Sequence, residues 1–329
     1  MAGTTDSRPI ADDLQASASE VRLGLSRAGV TNVQKAIRLR HGAAEKLIAA
    51  EITCTVDLDP DQKGVHMSRF PELFDEAIDE VVLGQGLLVE VLADRIASQI
   101  VERQNALRAE VRIVARWPQR RRTPVTGLET QEIVSLIGIA AAGGKGSRRV
   151  VGVEATGINA CPCAQDLVRA RAYERLEEAG FGADAERILE LVPIATHNQR
   201  GRGTLLVGTT HELDAEDLSG IVERSMSAPV YELLKRPDEL FVVEHAHLQP
   251  RFVEDSVRVA IRELLESKPG LDDGDFVLSR QVNLETIHDH DVVAERWGTV
   301  AEIRRELQGG EPSIRQTTLE DWLRGLPSA

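Results

Sequence analysis

Twice along this 329-residue chain, runs that alternate apolar and polar residues give way to runs with helical spacing and then return. That switch between periods of 2 and 3.6 constrains the fold, because it sets which face of each element can be buried. In EITCTVDLD (51–59), Ile52, Cys54, Val56 and Leu58 fall on one face of a strand. Val111, Ile113, Ala115 and Trp117 do the same in EVRIVARW (110–117). Between them, 71–83 and 86–104 have helical spacing, illustrated by Leu88, Val91, Leu92, Arg95, Ile96 and Ile100. Gly-Gln-Gly at 84–86 separates these two helices. Further strands near 32–40 and 131–142 complete the order strand, strand, helix, helix, strand, strand.

The second half repeats the order. RRVVGVEATG (148–157) and RGTLLVGTTHEL (202–213) read as strands, followed by helices at about 214–228 and 251–266. The second helix carries a stripe of Val253, Val257, Ala260, Ile261 and Leu264. FVLSRQVNLE (276–285) and 296–305 close the unit, the latter compatible with strand or helix. Residues 164–191 form a helical insert with no counterpart in the first half. The expected fold is therefore α+β, a duplicated unit with antiparallel sheets. Expected boundaries are a weakly ordered arm at 1–28, a first module at 29–144, a second at 145–310 and a tail at 311–329.

Hydrophobic residues make up 42% of the chain, charged residues 28% and aromatics 3%, which describes a globular protein with an aliphatic core. The net charge of −14 argues against a general partner among nucleic acids or anionic membranes, since phosphate attraction needs a cationic face. The polar, acidic start is no signal peptide, and the longest apolar run, IVSLIGIAAA (133–142), is too short to span a bilayer. Three cysteines make no disulfide framework, so a reducing cytoplasm is the expected location.

Two of those cysteines bracket a proline in ACPCAQ (160–165), directly after a strand. Pro162 favours an extended Cys161, which suits a fixed ligand direction. The pair could be buried thiols, a redox pair or metal ligands. Cys54, on an apolar strand face, reads as a buried thiol. THNQRGRGT (196–204) presents His197 at the entry to a strand, and ETIHDHD (285–291) offers Glu285, His288 and His290 at a strand end. An acid and an imidazole together suit proton transfer. His41, His211, His245 and His247 read as surface or hydrogen-bonded residues. Glu254 lies beside the apolar stripe of its helix. QKGVHMSRFPE (62–72) gathers Lys63, His66, Ser68 and Arg69 at a turn entering a helix, an arrangement that can bind an anion.

KGVHMSRFPE (63–72), CPC (161–163), HNQRG (197–201), LLKRPDE (233–239), FVED (252–255) and ETIHDH (285–290) together resemble type IB GTP cyclohydrolase, in the family's order. The resemblance implies the tunnelling fold, with two tandem modules of antiparallel four-stranded sheet and two helices, assembled as a homotetramer with active sites at subunit interfaces. It implies hydrolysis of GTP at C8 of the guanine imidazole ring, release of formate and formation of a dihydropterin. One divalent metal per site, Fe(II), Zn or Mn, would be held by Cys161, His197 and Glu239. Glu254 would anchor guanine, Glu285 and His288 would serve proton transfers with Cys161 in the catalytic centre, and Lys63, His66, Ser68 and Arg69 would hold the triphosphate. Cys163 would lie behind the ligands. The insert sets Cys161 and His197 36 positions apart, which resembles the archaeal branch, whose product is the 2′,3′-cyclic phosphate. Two other readings stay open: a related pterin or purine enzyme with a cysteine nucleophile and no metal, and a non-catalytic metal-binding assembly protein.

Overall fold

The computed structural model describes residues 15, 17–41, 44–82, 88–104, 106–144, 146–311 and 315–325. Much of the expected arm, and the Gly-Gln-Gly at 84–86, lie outside them. The chain divides into two compact units, one of Met1–Ile113 with Ile139–Ser147 and one of Val114–Gly138 with Arg148–Ala329.

In the first unit, β1 (Leu25–His41) pairs antiparallel with β2 (Ala44–Leu58), and helices α1 (Arg69–Val82) and α2 (Val89–Gln104) follow. β3 (Arg108–Arg122) and β4 (Glu129–Gly143) come next and contribute residues to both units. The expected face of β2 is the buried one: Ile52, Cys54, Val56 and Leu58 are at most 6% exposed. α1 buries Phe70, Leu73, Phe74, Ala77 and Ile78, a full helical stripe. On α2 the stripe is Val89, Leu92, Ala93, Ile96, Ala97 and Ile100, so Leu88 and Val91 are only half-buried and Arg95 is exposed. Leu92, Ile96 and Ile100 keep the face that the spacing indicates, and Ala93 and Ala97 complete it. β1 is longer than expected and begins inside the segment read as an arm.

In the second unit, β5 (Gly146–Ala160) pairs with β6 (Asn198–Gly208), β6 with β8 (Phe276–Leu284) and β8 with β9 (Val292–Thr299), all antiparallel. The two-residue β7 (Ala228–Pro229) adds to β5. The insert is two helices, α3 (Pro162–Glu178) and α4 (Ala185–Leu191), joined through a 3-10 turn. α5 (Ala215–Arg224) and α7 (Val253–Ser267) pack over the sheet, and the core joins Val153, Leu205, Val207, Leu218 and Ile221 to Val257, Ile261, Leu264 and Val277. Between them lies α6 (Arg236–Leu248), which no period in the sequence announced.

Two further stretches complete the comparison. The ambiguous run at 296–305 splits into the end of β9 and α8 (Val300–Leu307). The switch falls at Thr299, whose hydroxyl accepts from the Glu302 amide at 3.3 Å while the Glu302 carboxylate accepts from the Thr299 amide at 2.8 Å. That reciprocal cap starts a helix where alternation stops. The expected tail instead forms α9 (Leu319–Leu323), with Trp322 buried and packed at 6.0 Å from Phe276. Gly208 makes room for it, since a Cβ there would lie 2.7 Å from the indole ring. Among the described residues, no helix is long and apolar enough to cross a membrane.

Candidate active site

The antiparallel register of β5 and β6 pairs Ala160 with Asn198 and Asn159 with Gln199, so the chain leaving β5 and the chain entering β6 meet at one end of the sheet. Cys161 stands there in extended conformation (φ −77°, ψ 118°), and Pro162 opens α3. Proline fits this first helical position because its missing N–H would have no partner there. The Cys161 amide donates to the His197 carbonyl at 3.1 Å, and the Thr196 hydroxyl donates to the Cys161 carbonyl at 2.8 Å. The thiol of Cys161 is half-buried, that of Cys163 is exposed and Cys54 is buried. Burial, aided by the Glu110 charge, pushes the Cys54 thiol well above the usual range, as suits an inert core thiol.

His197 immediately precedes β6. Its Nδ1 is 3.0 Å from Gln199 Oε1 and 3.8 Å from a Glu285 carboxylate oxygen. The Gln199 side-chain amide donates to the other Glu285 oxygen at 3.1 Å. Gln199 is 6% exposed, and the His197 and Glu285 side chains are 14% and 7% exposed. His197 Nε2 makes no hydrogen bond among the described residues. A buried polar layer supports this row: the Asn159 amide donates to Asn283 at 2.8 Å, Gln281 donates to the same Asn283 oxygen at 3.1 Å, and Ser227 N–H donates to Asn159 at 3.1 Å. Gly201 lets this layer close, because a Cβ there would sit 2.4 Å from the Gln281 amide nitrogen.

Several expected residues take other places. Glu285 turns to Gln199 and His197, whereas His288, exposed beyond the end of β8, stacks on His290 with ring centroids 5.0 Å apart. The bend at 286–290 turns the chain away, so the expected Glu285–His288 pair is not a contact. Glu239, in the first turn of α6, is exposed. Cys161, His197 and Glu239 do not bring three ligand atoms within 4.8 Å of one another; among the described residues that grouping occurs at His211, Asp272 and Asp275. Glu254, in the first turn of α7, is exposed, one position past the buried Val253. His245 stacks on Phe241, His211 lies 3.0 Å from Asp272, and His247 contacts the Val243 carbonyl at 2.7 Å. These three therefore have the partnered roles read from sequence, and the side chain of His41 lies outside the described residues.

In the first unit, Lys63, His66 and Ser68 occupy the loop that enters α1, and Arg69 is the first residue of that helix. Lys63, Ser68 and Arg69 are exposed, and the Arg69 amide donates to the His66 carbonyl at 3.1 Å. The buried Val65 and Phe70 pin that loop from either side.

Gln199 and Asp238 escaped the sequence reading. Period-2 alternation counted from His197 would have put Gln199 on the same strand face, a signal present in HNQ. Asp238 is fully buried at the start of α6 and accepts from the Val125 and Thr126 amides, both at 2.9 Å, the Thr126 hydroxyl at 2.6 Å and the Lys235 amide at 3.0 Å. Burial alone would raise its carboxyl, but those bonds hold it well below the usual carboxylate range.

The ends of two strands set Cys161 and His197 side by side through a backbone bond, next to the buried Gln199 and Glu285 side chains, on a duplicated antiparallel α+β fold. That fold is the tunnelling fold: a hyper-thermostable uricase variant matches with TM-score 0.50 at 10% identity, over 91% of this chain and 96% of that one. A family model described as type I GTP cyclohydrolase folE2 matches residues 11–294. GTP cyclohydrolase MptA of Methanococcus aeolicus is 40% identical over 306 residues, covering 90% of this chain and 99% of that protein. The proteins of the same name from Methanocaldococcus jannaschii and Methanosarcina acetivorans are each 38% identical, across 90% of this chain and 97% and 96% of theirs. The chain belongs to the type I GTP cyclohydrolase family, and that membership makes it an enzyme of the GTP cyclohydrolase class.

Proposed function

We propose that this chain is a metal-dependent GTP cyclohydrolase that opens the guanine imidazole ring at C8, releases formate and forms 7,8-dihydroneopterin triphosphate or its 2′,3′-cyclic phosphate, an opening step of pterin biosynthesis. The observation that carries the reading is the backbone bond from Cys161 to His197, which makes neighbours of a residue with a thiol and a residue with an imidazole whose Nε2 is open among the described residues. This donor set fits Zn or Fe(II), both of which accept sulfur and imidazole nitrogen. Glu239, exposed in the first turn of α6, is the third ligand that the family resemblance assigns. The bound ion would lower the pKa of its water from about 16 towards roughly 7.

The protein's own residues do the remaining work. Glu254, exposed at the start of α7, accepts two N–H bonds from the guanine edge. Opening the ring requires a proton on the departing nitrogen, and His288 supplies it from the exposed position beyond β8 that also carries His290. Glu285, buried beside His197, takes part in the proton transfers. Lys63, His66, Ser68 and Arg69 hold the triphosphate. The protein acts in the cytoplasm as a homotetramer with sites at subunit interfaces, taking GTP and water and neither nucleic acid nor membrane.

Anaerobic incubation of metal-stripped protein with GTP and Fe(II), Zn or Mn in turn tests the proposal. Formate and a dihydropterin should form only after metal is restored. Full turnover by metal-free protein would replace this reading with a cysteine-nucleophile mechanism.

A further inference from the structure

The hydrogen bonds around Gln199 decide which nitrogen of His197 carries the proton. An ionised carboxylate only accepts hydrogen bonds, so the side chain of Gln199 must turn its NH₂ group towards Glu285, 3.1 Å away. Its Oε1 then faces His197 Nδ1 at 3.0 Å and needs a donor there. The same Glu285 carboxylate lies 3.8 Å from Nδ1, which also favours a proton on that nitrogen. Nε2 is left with its lone pair outward. The amide cannot turn over without facing its NH₂ to the imidazole and its carbonyl oxygen to a carboxylate. It is also enclosed, since Gln199 is 6% exposed and lies opposite the fully buried Asn159 in the strand register.

We propose that Gln199 is a positioning residue that locks His197 as the Nδ1–H tautomer, with Glu285 fixing the direction of the amide, so that Nε2 is preset as a ligand nitrogen. A histidine ligand whose second nitrogen donates to a fixed acceptor is held in orientation and tautomer, and losing such a partner weakens metal binding about 10–100-fold. The relay differs from a direct imidazole–carboxylate pair because a neutral amide stands between the two groups. It orients the ring without placing the carboxylate in direct hydrogen-bond contact with it. The metal arm of this inference rests on the proposed function, whereas the tautomer arm does not.

The test uses the full chain, metal-free, with isotope-labelled histidine, and reads the His197 ring nitrogens by NMR. The wild type should show Nδ1 protonated and Nε2 bare. Gln199→Leu should lose that preference, and Glu285→Gln should weaken it, because an amide in place of the carboxylate accepts or donates in either orientation. Zinc affinity by chelator competition should fall about 10–100-fold in Gln199→Leu. A wild-type His197 protonated at Nε2 overturns the inference without any variant, as does an unchanged tautomer in folded Gln199→Leu. A locked tautomer in a protein that binds no metal and opens no GTP would instead sink the proposed function and leave the positioning role standing.

Discussion

The amide of Cys161 donates to the carbonyl of His197 at 3.1 Å, joining two residues separated by a helical insert of two helices. Because the bond is made by backbone atoms, it persists when either side chain is replaced. Cys161→Ala should therefore remain folded while losing bound metal and turnover, and Cys163→Ala, exposed on α3, should be milder. Metal content and formate release check this; full metal and unchanged turnover in Cys161→Ala would remove the ligand assignment.

Glu254 stands exposed in the first turn of α7, free to meet a base edge. A charged hydrogen bond is worth about 1.5–3 kcal/mol, so Glu254→Gln should weaken GTP binding roughly tenfold or more. ATP lacks the matching donor pattern and should be a poor substrate. Equal processing of ATP and GTP by the wild type would exclude this role.

His288 stacks on His290 and is not in contact with Glu285, so any acid role it has does not depend on that carboxylate. His288→Ala should keep metal and GTP affinity and lose turnover by about 10²–10⁴, the usual contribution of a general acid. His290→Ala should lose less. Single-turnover formate release decides the matter, and a wild-type rate in His288→Ala returns that residue to the protein surface.

Asp238 supports the start of α6, which carries Glu239, through four hydrogen bonds. Its carboxyl is held below the ordinary range in the fold, so the stability it contributes is complete above the unfolded value of about 3.9. That contribution is lost as pH falls further, through the folded value. Asp238→Asn should melt below the wild type at pH 7, with the gap closing progressively below about pH 4. Thermal melts across that range would show a constant gap if the charge were irrelevant.

Trp322 is 6% exposed, donates from its indole to the Gly274 carbonyl at 2.8 Å and lies under the Arg148 guanidinium at 4.9 Å. Trp322→Ala leaves a cavity against Phe276 and Gly208 and should cost about 3–5 kcal/mol. Denaturant unfolding measures it. A loss below about 1 kcal/mol would mean that α9 is dispensable to the unit.

Alternation in 51–59 and 110–117, and the helical stripe of 251–266, were legible in the sequence because each period is a property of one segment and its own buried face. The strand–helix–strand order and the antiparallel α+β class follow from such segments. So does the candidacy of Cys161, His197 and Glu285, since few residue types can do the chemistry. What joins Cys161 to His197, puts Gln199 between His197 and Glu285, and separates Glu285 from His288 is register and the path of the loops. A one-residue slip of β6 against β5 or β8 would turn Gln199 to the opposite face. That pairing is decided by the sheet as a whole, when every buried polar group on Asn159, Gln281 and Asn283 must find a partner at once.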